Sequence, residues 1–408
     1  DSPALLPESV ATAALAMSQR ERLRNQPGTA FEHATVALQA ASESRQAPLK
    51  VQAFAELALV QALRGQLSDA IFFGKHAVLI LQATRSSLAP ISRAAEQGYL
   101  QDNYAQYRRL ADWLFKKGRL AEGLEVLQLL KIGEQDDFQE RTGTSASYEL
   151  TLNDAEQAAL ARLDAYFANE QAQLNDTERM GRLQSSERLS RAERAELNTW
   201  LLARAAQRKQ AVAELGKLLN QLPMHPHSAA TAPSPNRPDS PKMLYIHLLL
   251  GEDHLTVLSL GPNSQRVQRR QLQTSQLNLD IASFLSAIQS RSEFLPQAQA
   301  LYQTVGAALD QAARDQGATQ IKLWLDGSLR YLPIGALHDG KKFLAQKYQL
   351  IHAAPTPQIG QTQTRQSADK GLANRPLRLT ALGMSLSQPG FDALPGVAQE
   401  LCNIVKGQ

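Results

Sequence analysis

The sequence predicts an α + α/β fold, with a helical first half followed by an α/β domain that begins with a β-meander. Three observations lead to this prediction. Residues 1–222 are rich in Ala, Leu, Gln, Glu and Arg, and their apolar positions recur at helical spacing. Residues 223–241 contain six prolines, which neither a helix interior nor a central strand accommodates. After Pro241 the apolar residues form alternating and continuous runs that are typical of strands.

Length and composition limit the classes of function. A chain of 408 residues exceeds the roughly 250 to 300 residues at which a single core stops growing, so we expect more than one domain. No apolar run approaches the ~20 residues that span a bilayer, and basic and acidic residues alternate, with a net charge of +4. We therefore expect no membrane and no nucleic-acid partner. The first residues lack the pattern of a signal peptide, so the expected location is cytoplasmic.

Residues 1–150 contain two similar segments, which align on Gly65 and Gly118. The shared offsets place a large residue, a Leu-Ala pair and a small residue at Phe54, Leu57, Ala58 and Ala70 in the first copy and at Tyr107, Leu110, Ala111 and Gly123 in the second. The small residues favour close approach of two helices, and glycine accommodates the turn between them. A third, fainter copy is predicted at residues 13–42.

These segments resemble tetratricopeptide repeats, in which helix pairs of about 34 residues stack into a superhelix. The two glycines lie farther apart than one such repeat, so we expect an extra segment or a longer helix between them. A generic helical bundle is the alternative. If the repeats stack, their concave face is the expected binding surface for a protein or peptide partner.

Residues 151–222 are predicted to form a long helical hairpin. Asn153 with Glu156, and Ser190 with Glu193, have the spacing of a capping box at a helix start. We expect the charge-rich surfaces of this hairpin to face solvent. The next segment, residues 223–241, is predicted to be a Pro-rich linker. Its two histidines lack ligand partners at metal-binding spacing, so no metal site is predicted.

Residues 242–408 are predicted to form an α/β domain. "MLYIHLLL", "LTVLSL" and "RVQRRQL" predict an antiparallel meander, and a helical stretch is expected at about 281–316. The runs "IKLWLD" and "LRLTALGMS" are typical of strands covered on both faces. Because strands and helices alternate here, a largely parallel central sheet is expected.

The order of "LDGSLRYLPIGAL", "FLAQKYQLIHAAP", "ALGMS" and "LPGVAQEL" resembles the first part of a CHAT domain. This caspase-like peptidase domain commonly follows tetratricopeptide repeats in bacterial proteins. The resemblance implies a cysteine endopeptidase of the clan that includes caspases and separase, which acts on a protein substrate and needs no cofactor. The chain would be its regulatory and N-terminal portion, with the repeats binding a partner that recruits or activates the protease.

The histidine and cysteine stretches of a CHAT domain are not found in this sequence, so no catalytic residue is assigned. We expect the C-terminal half of the protease domain to come from the same or a second fragment. Cys402 lies among apolar residues of a predicted helix and is interpreted as a small buried side chain. His247, His254, His338 and His352 are interpreted as structural. The alternative function is a non-catalytic repeat scaffold with an inactive caspase-like domain.

Asp326 and Arg330 are the candidate substrate-binding residues. They follow the predicted strand "IKLWLD", and ligands of such sheets bind beyond the carboxyl ends of the strands. The resemblance implies that this loop lines the primary specificity pocket. An exposed Asp326 would favour a basic substrate residue, whereas Arg330 would favour an acidic one. A capped turn with a solvated arginine is the alternative interpretation.

Overall fold

The computed structural model describes residues 6–44, 46–88, 93–135, 150–172, 189–222 and 237–353, except 239, 252 and 263, together with residues 183, 186, 396 and 397. The chain divides into two compact units, Asp1–Pro357 and Gln358–Gln408. The elements below belong to the first unit. The predicted strand "LRLTALGMS", Cys402 and most of the predicted linker lie outside the described residues.

The first half of the chain consists of helices, as predicted. Their bounds are α1 Pro7–Leu23, α2 Pro27–Ser44, α3 Ala47–Leu63, α4 Leu67–Leu88, α5 Arg93–Lys116, α6 Leu120–Gln135, α7 Asp154–Ala172 and α8 Arg191–Asn220. The first six form three consecutive pairs, joined within each pair by a short turn. The fainter copy predicted at 13–42 corresponds to the pair α1–α2. Membership of these pairs in the tetratricopeptide family stays a prediction.

Each of the three turns contains one residue in the left-handed region: Asn25 (φ 58°), Gly65 (φ 78°) and Gly118 (φ 78°). Glycine adopts this conformation without steric cost, and asparagine tolerates it better than most residues. The long separation of the two glycines has a simple cause, because α4 has 22 residues and α5 has 24. Longer helices, one of the two predicted possibilities, therefore explain the spacing.

Gly123, a small residue of the repeat pattern, and Gly74 both lie where helices meet. A Cβ atom added at Gly123 of α6 would lie 2.4 Å from the Phe115 ring of α5. A Cβ atom added at Gly74 of α4 would lie 3.3 Å from Leu110 of α5. Substitution at either glycine therefore requires the neighbouring side chain on α5 to shift, by more at Gly123 than at Gly74.

Both predicted capping boxes are present. The Asn153 Oδ1 accepts from the Glu156 backbone N–H at 2.9 Å, and the Glu156 carboxylate accepts from the Asn153 N–H at 3.0 Å. Ser190 and Glu193 make the same reciprocal bonds at the start of α8. Two orphan backbone donors are thereby satisfied at each helix start.

The expectation that the charged surface of α8 faces solvent is wrong at Arg208. Its guanidinium binds Glu43 of α2, with Nη2 2.7 Å from Oε2, and the two side chains are only 9% and 6% exposed. The Tyr166 hydroxyl of α7 also donates to the Ala211 carbonyl of α8 at 2.8 Å. The Glu43 carboxylate compensates the buried guanidinium and joins α8 to α2, while the Tyr166 hydrogen bond joins α7 to α8.

The second half begins with a five-stranded sheet in the order β3-β2-β1-β4-β5. The strands are β1 Met243–Leu250, β2 His254–Leu260, β3 Gln265–Gln271, β4 Gln320–Leu325 and β5 Gln349–His352. The first three form the predicted antiparallel meander, whereas β4 runs parallel to both β1 and β5. The described sheet is therefore mixed, not largely parallel.

The helical stretch predicted at 281–316 differs in its details. It consists of α9 Thr274–Gln289, α10 Leu295–Leu301, a π-helical turn Tyr302–Gly306 and α11 Ala307–Asp315. The break after α9 has a local cause, because Arg291 is in the left-handed region (φ 53°) and Pro296 lies in the first turn of α10. These helices pack their apolar residues on one face of the sheet.

The two faces of β4 are not equally covered. Ile321, Leu323 and Leu325 are buried against the helices, whereas Lys322 and Trp324 are partly exposed. On that second face the Trp324 ring stacks on His247, with ring centroids 4.4 Å apart. The expectation of a strand fully covered on both faces is therefore wrong for β4.

Asp310 of α11 is fully buried and binds side chains of the segment that leads into β5. It accepts hydrogen bonds from the Tyr302 and Tyr348 hydroxyls at 2.5 Å each and from Lys347 Nζ at 2.5 Å. Burial, together with this carboxylate, raises the pKa of Tyr302 to about 12. The hydrogen bonds outweigh the burial of Asp310 and lower its own pKa. The cluster joins α11 to the short helix α12 Leu344–Lys347 and to the segment that enters β5.

Candidate functional site

The loop after β4 is the segment in which sequence reasoning placed the substrate-binding residues. Strand β4 ends at Leu325, Asp326 is extended, and a 3-10 turn spans Gly327–Tyr331. Gly327 has φ +56°, a conformation that favours glycine. Leu329 is fully buried and anchors the turn, whereas Tyr331 is 72% exposed. The loop thus lies at the carboxyl end of a strand with parallel neighbours.

Asp326 is buried and bound to a helix of the first half. The Arg108 Nε–H of α5 donates to Oδ2 at 2.7 Å, and Nη2 donates to Oδ1 at 3.1 Å. The Leu250 backbone N–H donates to Oδ2 at 3.4 Å. The side chain of Asp326 is 5% exposed. Asp326 was expected to select a basic substrate residue only if it were exposed, and the carboxylate is buried.

Arg330 is the more accessible of the two candidates. Its Nε–H donates to the Leu325 carbonyl at 3.2 Å, and its Nη2 lies 4.0 Å from Asp326 Oδ1. The side chain is 36% exposed. The structure therefore brings both candidates to one loop, with the carboxylate directed inward to Arg108 and a guanidinium that solvent reaches.

A second contact lies one helical turn further along α5. Asp112 is 6% exposed and accepts from Thr256 Oγ1 at 2.8 Å. It also lies 3.0 Å from His254 Nε2 and forms an ion pair with Arg269 of β3. Residues four apart lie on the same helix face, so α5 contacts the loop after β4 and the strands β2 and β3 with one surface.

His254 is bound by two carboxylates. Its Nδ1 lies 2.7 Å from Asp253 Oδ1, and its Nε2 lies 3.0 Å from Asp112. The hydrogen bond to Asp112 raises the pKa of His254 most, against the effects of burial and of the nearby Arg269 charge. The same imidazole lowers the pKa of Asp253. The interpretation of His254 as an ordinary sheet residue therefore missed its contact with α5.

Sequence reasoning did not single out Arg108 and Asp112. The only local signal was an opposite-charge pair at four-residue spacing inside "YRRLADW", which was interpreted as part of a repeat. The other histidines fit their structural interpretation where described. His338 Nδ1 accepts from the Gly340 N–H at 3.0 Å within a turn, and His352 ends β5.

Within the described ranges, no group of three or more His, Cys, Asp or Glu residues is arranged to bind a metal ion. No helix in the described part of the chain combines the length and apolarity needed to cross a bilayer.

Comparison with known proteins gives a match to a family model. Residues 295–408 match the family model of the CHAT domain. No curated protein and no solved structure matches the chain. The matched segment begins at α10 and includes β4, the loop with Asp326 and Arg330, and β5. Residues 295–408 are therefore similar to a CHAT domain, and the helical first half lies outside the match.

Proposed function

We propose that this chain is the regulatory and N-terminal portion of a CHAT-family cysteine endopeptidase. Its helical pairs bind a protein or peptide partner that recruits or activates the protease, and the protease acts on a protein substrate. One observation supports this above all. The loop after β4 lies inside the CHAT match, and α5 of the helical pairs binds it through Arg108 and Asp326.

This contact offers a physical route from partner to protease. Stacked helix pairs provide an extended groove for a partner, and α5 belongs to the third pair. A partner that shifts α5 also moves the guanidinium that compensates a buried carboxylate at the loop. Breaking a buried ion pair is costly, so movement of the helix and of the loop is coupled.

The loop also suggests how the substrate is selected. Asp326 is occupied by Arg108, so its role is to position the loop. Arg330 presents a partly exposed guanidinium at the same loop. A guanidinium binds carboxylates in a fixed bidentate geometry, which favours an acidic substrate residue. Arg330 is therefore the proposed specificity residue.

The proposed catalytic groups come from outside this sequence. Peptide cleavage by a cysteine enzyme needs a thiolate next to an imidazole and donors for the oxyanion. We assign none of these catalytic roles to a residue of this chain. The C-terminal half of the protease domain, from the same or a second fragment, would supply them.

A non-catalytic scaffold is the second candidate. The burial of Asp326 favours it, because a charge used to join the helical pairs to the sheet needs no catalytic purpose. In that case the CHAT segment and the helical pairs would both serve protein interaction alone.

Peptidase assays distinguish the two candidates. Residues 1–408 would be purified alone and together with the proposed C-terminal half, then assayed with an acidic-residue peptide library and a thiol-reactive probe. We expect cleavage only in the second sample, unchanged by Cys402→Ala and reduced for acidic peptides by Arg330→Glu. Cleavage by the first sample that Cys402→Ala abolishes would overturn the assignment of catalytic groups. A second sample that is folded and inactive would favour the scaffold.

A further inference from the structure

A cavity of about 720 Å³ lies where the helical pairs meet the sheet. Side chains of α3 to α5 form one wall. The turn between β1 and β2, strand β3, the start of α9 and the loop residues Gly327 and Ser328 form the other. Sites for small organic ligands have volumes of about 300 to 1,000 Å³, so the cavity has the size of a ligand site.

Basic side chains outnumber acidic ones among the described residues that line the cavity. Among the described residues that line it, the basic side chains are Arg108, Arg109, Lys116 and Arg269, and the acidic ones are Asp112 and Asp253. Each of these carboxylates already has a basic partner: Asp112 pairs with Arg269, and Asp253 lies 2.7 Å from His254. Asp326, behind the wall, pairs with Arg108. Among the described residues, the exposed Lys116 forms no ion pair with a carboxylate, so its ammonium remains available to a ligand. The wall also contains His254, which its neighbours favour in the charged form. A bound molecule is therefore expected to be an anion.

The rest of the wall is apolar. Leu59, Leu67 and Leu250 line it together with the indole of Trp113. Apolar walls with a few placed charges are typical of sites that bury an organic ligand and fix its orientation through one polar group. An inorganic anion alone would leave these apolar side chains without a partner.

We infer that this cavity binds a small organic anion, with an aromatic or aliphatic body against Trp113 and the leucines and an acidic group toward Lys116. Such a molecule contacts α5 on one side and the loop after β4 on the other. It would stabilise their contact by binding both. The binding inference does not rest on peptidase activity, and its test needs none.

The intact chain would be titrated with 8-anilinonaphthalene-1-sulfonate, an aromatic anion whose fluorescence rises on binding. Its uncharged analogue, N-phenyl-1-naphthylamine, lacks the sulfonate and serves as the matched probe. Lys116→Glu reverses an exposed charge at the wall, and Lys117→Glu makes the same reversal at the next exposed residue, which does not line the cavity. Circular dichroism would verify that both variants are folded.

We expect saturable one-site binding of the anionic probe, weakened about five- to tenfold by Lys116→Glu and by less than about twofold by Lys117→Glu. Added salt should weaken binding of the anionic probe but not of the neutral one. Energy transfer from tryptophan to the bound probe should fall in Trp113→Phe. Equal effects of the two lysine variants, equal affinity of the two probes, or unchanged energy transfer would each overturn the inference.

Competition identifies the source of the natural ligand. A nucleoside monophosphate and a short peptide with an aromatic and an acidic residue would each be added to the bound probe. Displacement by either supports the inference and tells which chemistry the cavity accepts. If neither displaces the probe at millimolar concentration, a biological organic anion is not its occupant.

Discussion

Arg108→Leu should destabilise the protein more than its position on a helix surface suggests. The substitution keeps an apolar stem and removes both donors that bind Asp326, at 2.7 and 3.1 Å. The Asp326 side chain is 5% exposed, so water replaces those donors poorly. What remains is the Leu250 N–H at 3.4 Å and the Arg330 guanidinium at 4.0 Å.

The magnitude follows from burial. Removing one partner of a fully buried ion pair costs about 3 to 5 kcal/mol. The Arg108 side chain is 25% exposed, and water that reaches its place reduces this cost. We therefore expect a loss of about 2 to 3 kcal/mol in the free energy of unfolding, measured by urea denaturation from the midpoint and the m-value.

A double-mutant cycle separates this pair from its surroundings. Asp326→Ala should suppress most of the cost of Arg108→Leu, because removing both partners leaves no buried charge. Arg330→Leu is the matched comparison. Its guanidinium lies 4.0 Å from the same carboxylate and donates to the Leu325 carbonyl, but it is 36% exposed, so we expect a loss of about 1 kcal/mol or less. The reasoning is refuted if the two arginine variants lose equal stability, or if the coupling energy is below about 0.5 kcal/mol.

Three further predictions concern other parts of the chain. The pKa of His254 is raised above the ordinary 6.5, so His254 should stabilise the protein fully below pH 6.5 and lose this effect as the pH rises through the raised pKa. Urea denaturation of the wild type and of His254→Gln, repeated across pH, should show the difference between their free energies of unfolding shrinking at high pH. Lys75→Met should cost about 3 kcal/mol in the same assay, because the ammonium, 0% exposed, lies 2.5 Å from Glu122 and 2.8 Å from Glu156; an effect under about 1 kcal/mol would contradict this. Brief limited proteolysis should cut first within 223–241, and a first cut inside α1 to α6 would place the domain boundary elsewhere.

The features that the sequence predicted correctly depend on neighbouring residues. Both capping boxes join residues three positions apart, and the turns at Gly65 and Gly118 need one left-handed residue each. The meander follows from alternating apolar runs joined by short turns. Backbone chemistry of this kind is specified locally, so a single sequence reveals it.

The contacts that the sequence did not reveal join distant residues. Arg108 and Asp326 are 218 positions apart, and Arg208 and Glu43 are 165 apart. No periodicity links such residues, because tertiary packing alone brings them together. A charged residue on a helix is usually solvated, which is why Arg208 was expected to face solvent. The break after α9 is a different case, because a local signal was present. Pro296 marks the start of a new helix, but the continuous helical pattern around it led to the prediction of a single helical stretch.

Helix α5 contacts two parts of the molecule with adjacent faces. Tyr107, Leu110 and Ala111 are buried among the helical pairs, whereas Arg108 and Asp112 bind the loop after β4 and the strands β2 and β3. These two sets alternate along one rigid helix. In the proposed function, a partner that shifts the first set would therefore also move the second. Because Arg108 and Asp112 lie one turn apart, the loop and the strands would move together, and we propose α5 as the element that connects a partner on the helical pairs with residues 295–408.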